Sequence, residues 1–149
     1  MTTAVGTENT LESLLEDLIQ LDYDAADAYQ AAIDRLEDSS YRTRLAEFKR
    51  DHLRHITELG DILSSMGRTP PKEGDMKALL AKGKVVIAGL MGDESILRAM
   101  RTNEAGTNTA YERAVNFKGL QANTRDVLQR GLEDERRHCE WILETLKQF

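Results

Sequence analysis

At 149 residues the chain has room for one well-developed core, and a composition with 5% aromatics and both prolines in one place, rich in Leu, Ala, Glu, Asp, Lys and Arg, favours helix. The formal charge of -6 argues against nucleic acid as a default partner, and no apolar run approaches membrane-spanning length. The opening "MTTAVGTENT" lacks the basic start and apolar core of a signal peptide, so a cytoplasmic location is expected, with one domain over 1–149 and a flexible stretch at 1–7.

Four segments carry apolar residues at steps of three and four, the period of an amphipathic helix. The first runs from about Glu8 to Asp38, with Leu11, Leu14, Leu15, Leu18, Ala25, Tyr29, Ala32 and Leu36 on one face. The second begins near Ser40 as N-cap, shows Leu45, Phe48, Leu59, Ile62 and Met66, and stops at Gly67. The third opens after Gly92 with Asp93 as cap and carries Leu97, Met100, Thr107, Tyr111, Ala114 and Val115. The fourth starts at "NTRD", where Asn123 and Asp126 resemble a capping box, and shows Leu128, Gly131, Ile142 and Leu146.

The short turns at "EDSSYR" and "FKGLQAN" predict two antiparallel hairpins. Between them, residues 67–92 contain "TPPKEG" and a predicted short helix, "DMKALLAKGKVVIAG", whose Leu79, Leu80, Val85, Val86, Ile87 and Leu90 suit the covering of a bundle end or a dimer contact. A connection of that length crosses a bundle from end to end. The predicted fold is therefore all-α, a four-helix bundle of two hairpins joined by one long crossover, the ferritin-like arrangement.

An internal repeat relates the hairpins. "DYDAADAYQAAI" from Asp22 aligns with "EAGTNTAYERAV" from Glu104, and "DHLRHITEL" from Asp51 aligns with "DERRHCEWI" from Asp134. Tyr29 and Tyr111 are 82 residues apart, His55 and His138 83, a difference that one turn absorbs. Six polar residues then fall on the apolar stripes: Asp22, His52, His55, Glu104, Glu135 and His138. Six ionisable groups in a bundle interior each lose several kcal/mol of hydration, as an order of magnitude, and divalent cations supply the charge that offsets it. Carboxylate oxygen with imidazole nitrogen suits iron, manganese or zinc. A Glu from each of two helices plus Glu-x-x-His from each of the other two is the di-iron carboxylate pattern of such bundles.

Residues around the six are assigned lesser roles. Tyr29 and Tyr111 lie about 10 Å along their helices from Asp22 and Glu104, where ring packing with a satisfied hydroxyl is expected ahead of a bond to a group around the site. Asp51 and Asp134 precede the two ligand pairs and either orient histidines or reach the metal, whereas Asp24 and Asp27 align with Gln20 and Ala31 on a face expected to be solvated. The lone Cys139 has no internal disulfide partner and reads as a partly buried apolar residue.

The stretches "LESLLEDLIQLDYDAADAYQAAI", "EFKRDHLRHITEL", "MGRTPP" and "NEAGTNTAYERAV" resemble the ferritin-like superfamily of bacterioferritins and rubrerythrins. More narrowly, the chain is similar to a bacterial four-helix-bundle family known as a domain of unknown function. The resemblance implies a ferritin-like fold, self-association as a homodimer or small homo-oligomer, and di-metal binding in members that keep the ligands. It also implies chemistry on ferrous ion, peroxide or oxygen. Glu104, Glu135, His138 and His55 match the superfamily pattern directly. Asp22 stands where Glu is usual, and His52 where the pattern has a bridging Glu; an imidazole is expected to give one nitrogen to one metal, which leaves the number of metals open at one or two.

The leading expectation is thus a di-iron protein, with manganese or zinc as other metals, acting as a ferroxidase-like oxidoreductase if it is an enzyme. Two alternatives stand beside it. One is a metal-independent helical stress-response or interaction protein on the same scaffold; the other is a mononuclear zinc site built from His52, His55 and His138 with one carboxylate.

Overall fold

The computed structural model describes residues 3–73 and 83–149. It contains α1 (Leu11–Arg35), α2 (Ser39–Ser65), the short α3 (Gly83–Ala88), α4 (Asp93–Val115) and α5 (Ala122–Leu146). Helices α1 and α2 pair through a turn at 36–38, closed by Arg42, whose guanidinium donates to the carbonyls of Leu36 and Glu37. Helices α4 and α5 form the second hairpin, and the two hairpins pack α1 on α4 and α2 on α5.

Cross-hairpin bonds fix the directions. Asp93, at the start of α4, meets the turn that ends α1, while Arg113 near the end of α4 donates to the Thr3 and Val5 carbonyls ahead of α1. Helix α2 pairs antiparallel with α5 through Glu58 with Arg130, Asp51 with Arg137 and Tyr41 against Trp141. Since α2 ends where α1 begins, with Arg68 bonded to Glu16, the chain must return the full length of the bundle before α4 starts. The long crossover is therefore present. Its helical part among the described residues is α3, which packs on α1 and α4; the stretch with Leu79 and Leu80 lies outside the described residues.

The termination at Gly67 follows the sequence. Gly67 has φ of 79°, its N–H donates to the Ser64 carbonyl and that of Arg68 to the Leu63 carbonyl, the paired bonds of a Schellman motif. The N-caps do not follow it. Asp38, not Ser40, caps α2, its carboxylate accepting from the N–H groups of Ser40 and Tyr41. Asp93 is the first residue of α4, not its cap, because its two oxygens accept from the N–H groups of Glu37 and Asp38, at 2.8 and 3.0 Å, in the other hairpin. Helix α5 begins at Ala122 after Gln121 with no side-chain cap, which places Asn123 inside the first turn and leaves the predicted capping box unformed.

Two apolar clusters fill the bundle, one around Leu14, Leu15, Leu18, Leu59, Leu63 and Leu128, the other around Phe48, Ile87, Leu97, Met100 and Ile142. Ahead of α1, Val5 packs in the first cluster, and Arg113 donates to the Thr3 and Val5 carbonyls. The outer face of α1 also departs from expectation. Gln20 is buried, Asp24 and Asp27 are half-buried rather than solvated, and Asp27 pairs with Lys84 of α3.

Candidate metal centre

Between the two apolar clusters lies a polar layer. Asp22 on α1, His52 and His55 on α2, Glu104 on α4, and Glu135 and His138 on α5 are all buried, so the six residues singled out by their spacing are in one place. They form two overlapping sets in which one potential ligand atom from each residue lies within 4.8 Å of the others. Asp22, His52, His55 and Glu135 make one set; His52, Glu104, Glu135 and His138 make the other. His52 and Glu135 belong to both. His55 and His138 fall in different sets, so the three imidazoles do not gather around a single point as the mononuclear zinc alternative requires.

The outer nitrogens of two histidines are fixed. His55 Nε2 sits 2.9 Å from Asp134 Oδ2, and His138 Nε2 sits 2.8 Å from Asp51 Oδ2. Each aspartate belongs to the opposite hairpin, and each is itself engaged by arginine: Asp134 by Arg54 and Arg137, Asp51 by Arg137 and Arg54. A carboxylate can only accept, so Nε2 carries the proton and Nδ1 is left as a lone pair facing inward when the ring is neutral. His55 Nδ1 lies 3.2 Å from Asp22 Oδ1, and His138 Nδ1 lies 3.5 Å from Glu104 Oε1. Of the two roles expected for Asp51 and Asp134, orienting histidines is the one they perform.

The tyrosines do more than pack. Tyr111 donates to Asp22 Oδ2 at 2.7 Å, and Tyr29 donates to Glu104 Oε1, each across to the other hairpin and each to a carboxylate of the centre. The expected packing role missed this because a helix's own sequence does not reveal which residue faces it from across the bundle. Room for Tyr111 comes from Gly131, where a Cβ would stand 2.5 Å from the ring. Thr107, read from the sequence only as a stripe residue, donates to Glu135 Oε2 at 3.0 Å and lies 3.2 Å from Glu104 Oε2, joining the two glutamates. Its signal was its place one turn beyond Glu104 on the same face.

Electrostatics follow from this packing. Burial works against a charge on each imidazole, but the facing carboxylates outweigh it. They hold His55 up at about 9 and His138 at about 10, and raise His52 well above its ordinary value. Burial likewise pushes Asp22 and Glu104 up, and the facing histidines more than reverse it, so both lie below the usual carboxylate range. Glu135 goes the other way: burial, reinforced by the neighbouring Glu104, wins over His52 and raises it. Protons thus hold the places that cations could take.

Three buried atoms at the heart of the layer have no hydrogen-bond partner among the described residues: His52 Nε2, His138 Nδ1 and Glu135 Oε1. Unpaired buried donors and acceptors are rare in folded proteins. An oxygen and two nitrogens left bare among three carboxylates and three imidazoles fit a pair of divalent ions of borderline character. Cys139 is half-buried, its thiol pushed up by burial and by the charge of Glu104, and it belongs to neither ligand set.

The fold has solved counterparts. A conserved hypothetical protein, rv2844, from Mycobacterium tuberculosis aligns with a TM-score of 0.76 at 16% identity, over 93% of this chain and 99% of that one. The dodecameric thioferritin described as the bacterioferritin-related protein from Bacteroides fragilis aligns with a TM-score of 0.68 at 16% identity, over 97% of this chain and 90% of that one. At such identity these likenesses show the ferritin-like fold alone. No curated protein matches the sequence. Residues 10–117, which span α1 to α4 and include Asp22, His52, His55 and Glu104, match the family described as a domain of unknown function, DUF2383, and the chain belongs to that family.

Proposed function

We propose that this chain binds two metal ions, iron by preference, at Asp22, His52, His55, Glu104, Glu135 and His138, and uses them to oxidise ferrous ion or to reduce peroxide or oxygen. The observation that carries this reading is the pair of overlapping ligand sets that share Glu135 and His52, with bare donor atoms at their junction. Asp22 and His55 would hold one ion, Glu104 and His138 the other, with Glu135 common to both.

A bound ferrous pair supplies the two electrons that, with two protons, convert peroxide to water. The protein's share is positional and protonic. Tyr111 and Tyr29 hold one oxygen each of Asp22 and Glu104, so the other oxygens keep their aim. Asp51 and Asp134, partly exposed beside Arg54 and Arg137, stand between the buried imidazoles and solvent, where the protons on His138 Nε2 and His55 Nε2 can be exchanged. The apolar clusters on both sides exclude bulk water and strengthen every charge interaction within the layer.

No helix among the described residues is long and apolar enough to cross a membrane, and a cytoplasmic location accords with access to ferrous ion. Self-association as a homodimer or small homo-oligomer belongs to this proposal; the dodecameric state named for the Bacteroides fragilis protein supports assembly of the fold. A metal-independent interaction role has one observation in its favour, the exposure of Val85, Val86 and Met91 on and beside α3. The test is aerobic ferrous oxidation followed by absorbance. The native chain should oxidise ferrous ion well above buffer, and Glu135→Ala with His138→Ala should return the rate to that of buffer. Equal rates for the two proteins would refute the catalytic reading.

A further inference from the structure

His52 differs from the other two histidines. His55 and His138 each commit Nε2 to an aspartate at the bundle surface and turn one nitrogen inward. His52 has no such outer partner among the described residues. Its Nδ1 lies 2.7 Å from Asp22 Oδ1 and 3.5 Å from Glu135 Oε1, while its Nε2 lies 3.6 Å from Glu104 Oε1 and makes no hydrogen bond. The ring is fully buried, flanked by Tyr29 with centroids 5.4 Å apart, and is one of two residues common to both ligand sets.

We propose that His52 is a bridging ligand, giving Nδ1 to the cation held by Asp22 and His55 and Nε2 to the cation held by Glu104 and His138. This deepens the two-metal reading above and rests on it. Both nitrogens of an imidazole become donors only if no proton is left on the ring. The facing carboxylates hold His52 protonated without metal, so two ring protons leave for solvent as the cations bind, one from each nitrogen, with no change in either ion's oxidation state. The resulting imidazolate carries one negative charge. With Asp22, Glu104 and Glu135 the centre then holds about -4, the charge of a four-carboxylate set, which a neutral His52 would leave one short. The substitution of an imidazole for a bridging carboxylate therefore preserves the charge of the set. It exchanges two oxygens for two nitrogens, which favours softer divalent ions than an all-oxygen bridge does.

The experiment is nitrogen-15 NMR of the histidine rings in the full chain loaded anaerobically with zinc, a diamagnetic probe, together with elemental analysis of the same sample. Three histidines in the chain make the ring signals assignable one by one. The expected result is two zinc ions per chain, His55 and His138 each with one metal-bound and one protonated nitrogen, and His52 with two metal-bound nitrogens and no ring N–H. Two zinc ions per chain with an N–H retained on His52 would overturn the bridge and leave the two-metal reading standing. One zinc ion or none would overturn that reading, and the bridge with it.

Discussion

At the scale of single residues, the centre is held by groups that reach across from the opposite hairpin. Tyr111→Phe leaves a buried, ionised Asp22 without its 2.7 Å donor, and a lost bond to a buried charged acceptor costs about 1–3 kcal/mol. Denaturant unfolding of the chelated protein should show a loss of that size; a midpoint unchanged within error would mean the hydroxyl holds nothing. Asp51→Asn and Asp134→Asn should act on metal rather than on fold, because the amide can donate as well as accept and no longer fixes the proton on Nε2. Replacing such partners of ligand histidines typically weakens metal affinity about 10–100-fold. Competition with a chelator measures this directly, and affinity equal to that of the native chain would remove these aspartates from the centre's design.

At the scale of helices, spacing revealed more than capping did. The hairpins, the crossover and the stop at Gly67 were legible because apolar period and a positive-φ glycine are local properties of the chain. Asp93 and the capping-box pair Asn123 and Asp126 misled because a side chain able to cap its own helix can serve another backbone, or none. Asp93 closes the turn of the neighbouring hairpin, so Asp93→Ala should cost about 1 kcal/mol through two lost bonds to Glu37 and Asp38, and should do so without altering metal binding. Thermal unfolding with and without metal separates those two effects. The six buried polar residues were legible because a repeat placed them at matching depth twice over. The cross-hairpin partners of Tyr29 and Tyr111, and the two-sided exposure of His52 to both carboxylate sets, depend on how four helices meet, which no single stripe encodes.

At the scale of the whole molecule, the polar layer links folding, protons and metal. A histidine titrates near pH 6.5 when unfolded, while the fold holds His55 at about 9 and His138 at about 10. Their folded values are raised, so the proton-linked stability of the chelated protein is fully present below about pH 6.5 and is lost as pH rises through about 9 to 10. Metal has the opposite dependence, since it needs the bare nitrogen, and its affinity should rise over the same interval with release of protons. Melting temperatures across that range, with chelator and with metal, should therefore diverge; parallel curves would separate the histidines from the metal. The central claim is that two cations sit where the two ligand sets overlap, and metal content per chain after anaerobic ferrous reconstitution tests it most directly. Two iron atoms per native chain, lost in Glu135→Ala with His138→Ala, is the predicted result. An iron content of zero, or one that the double substitution leaves unchanged, would contradict it.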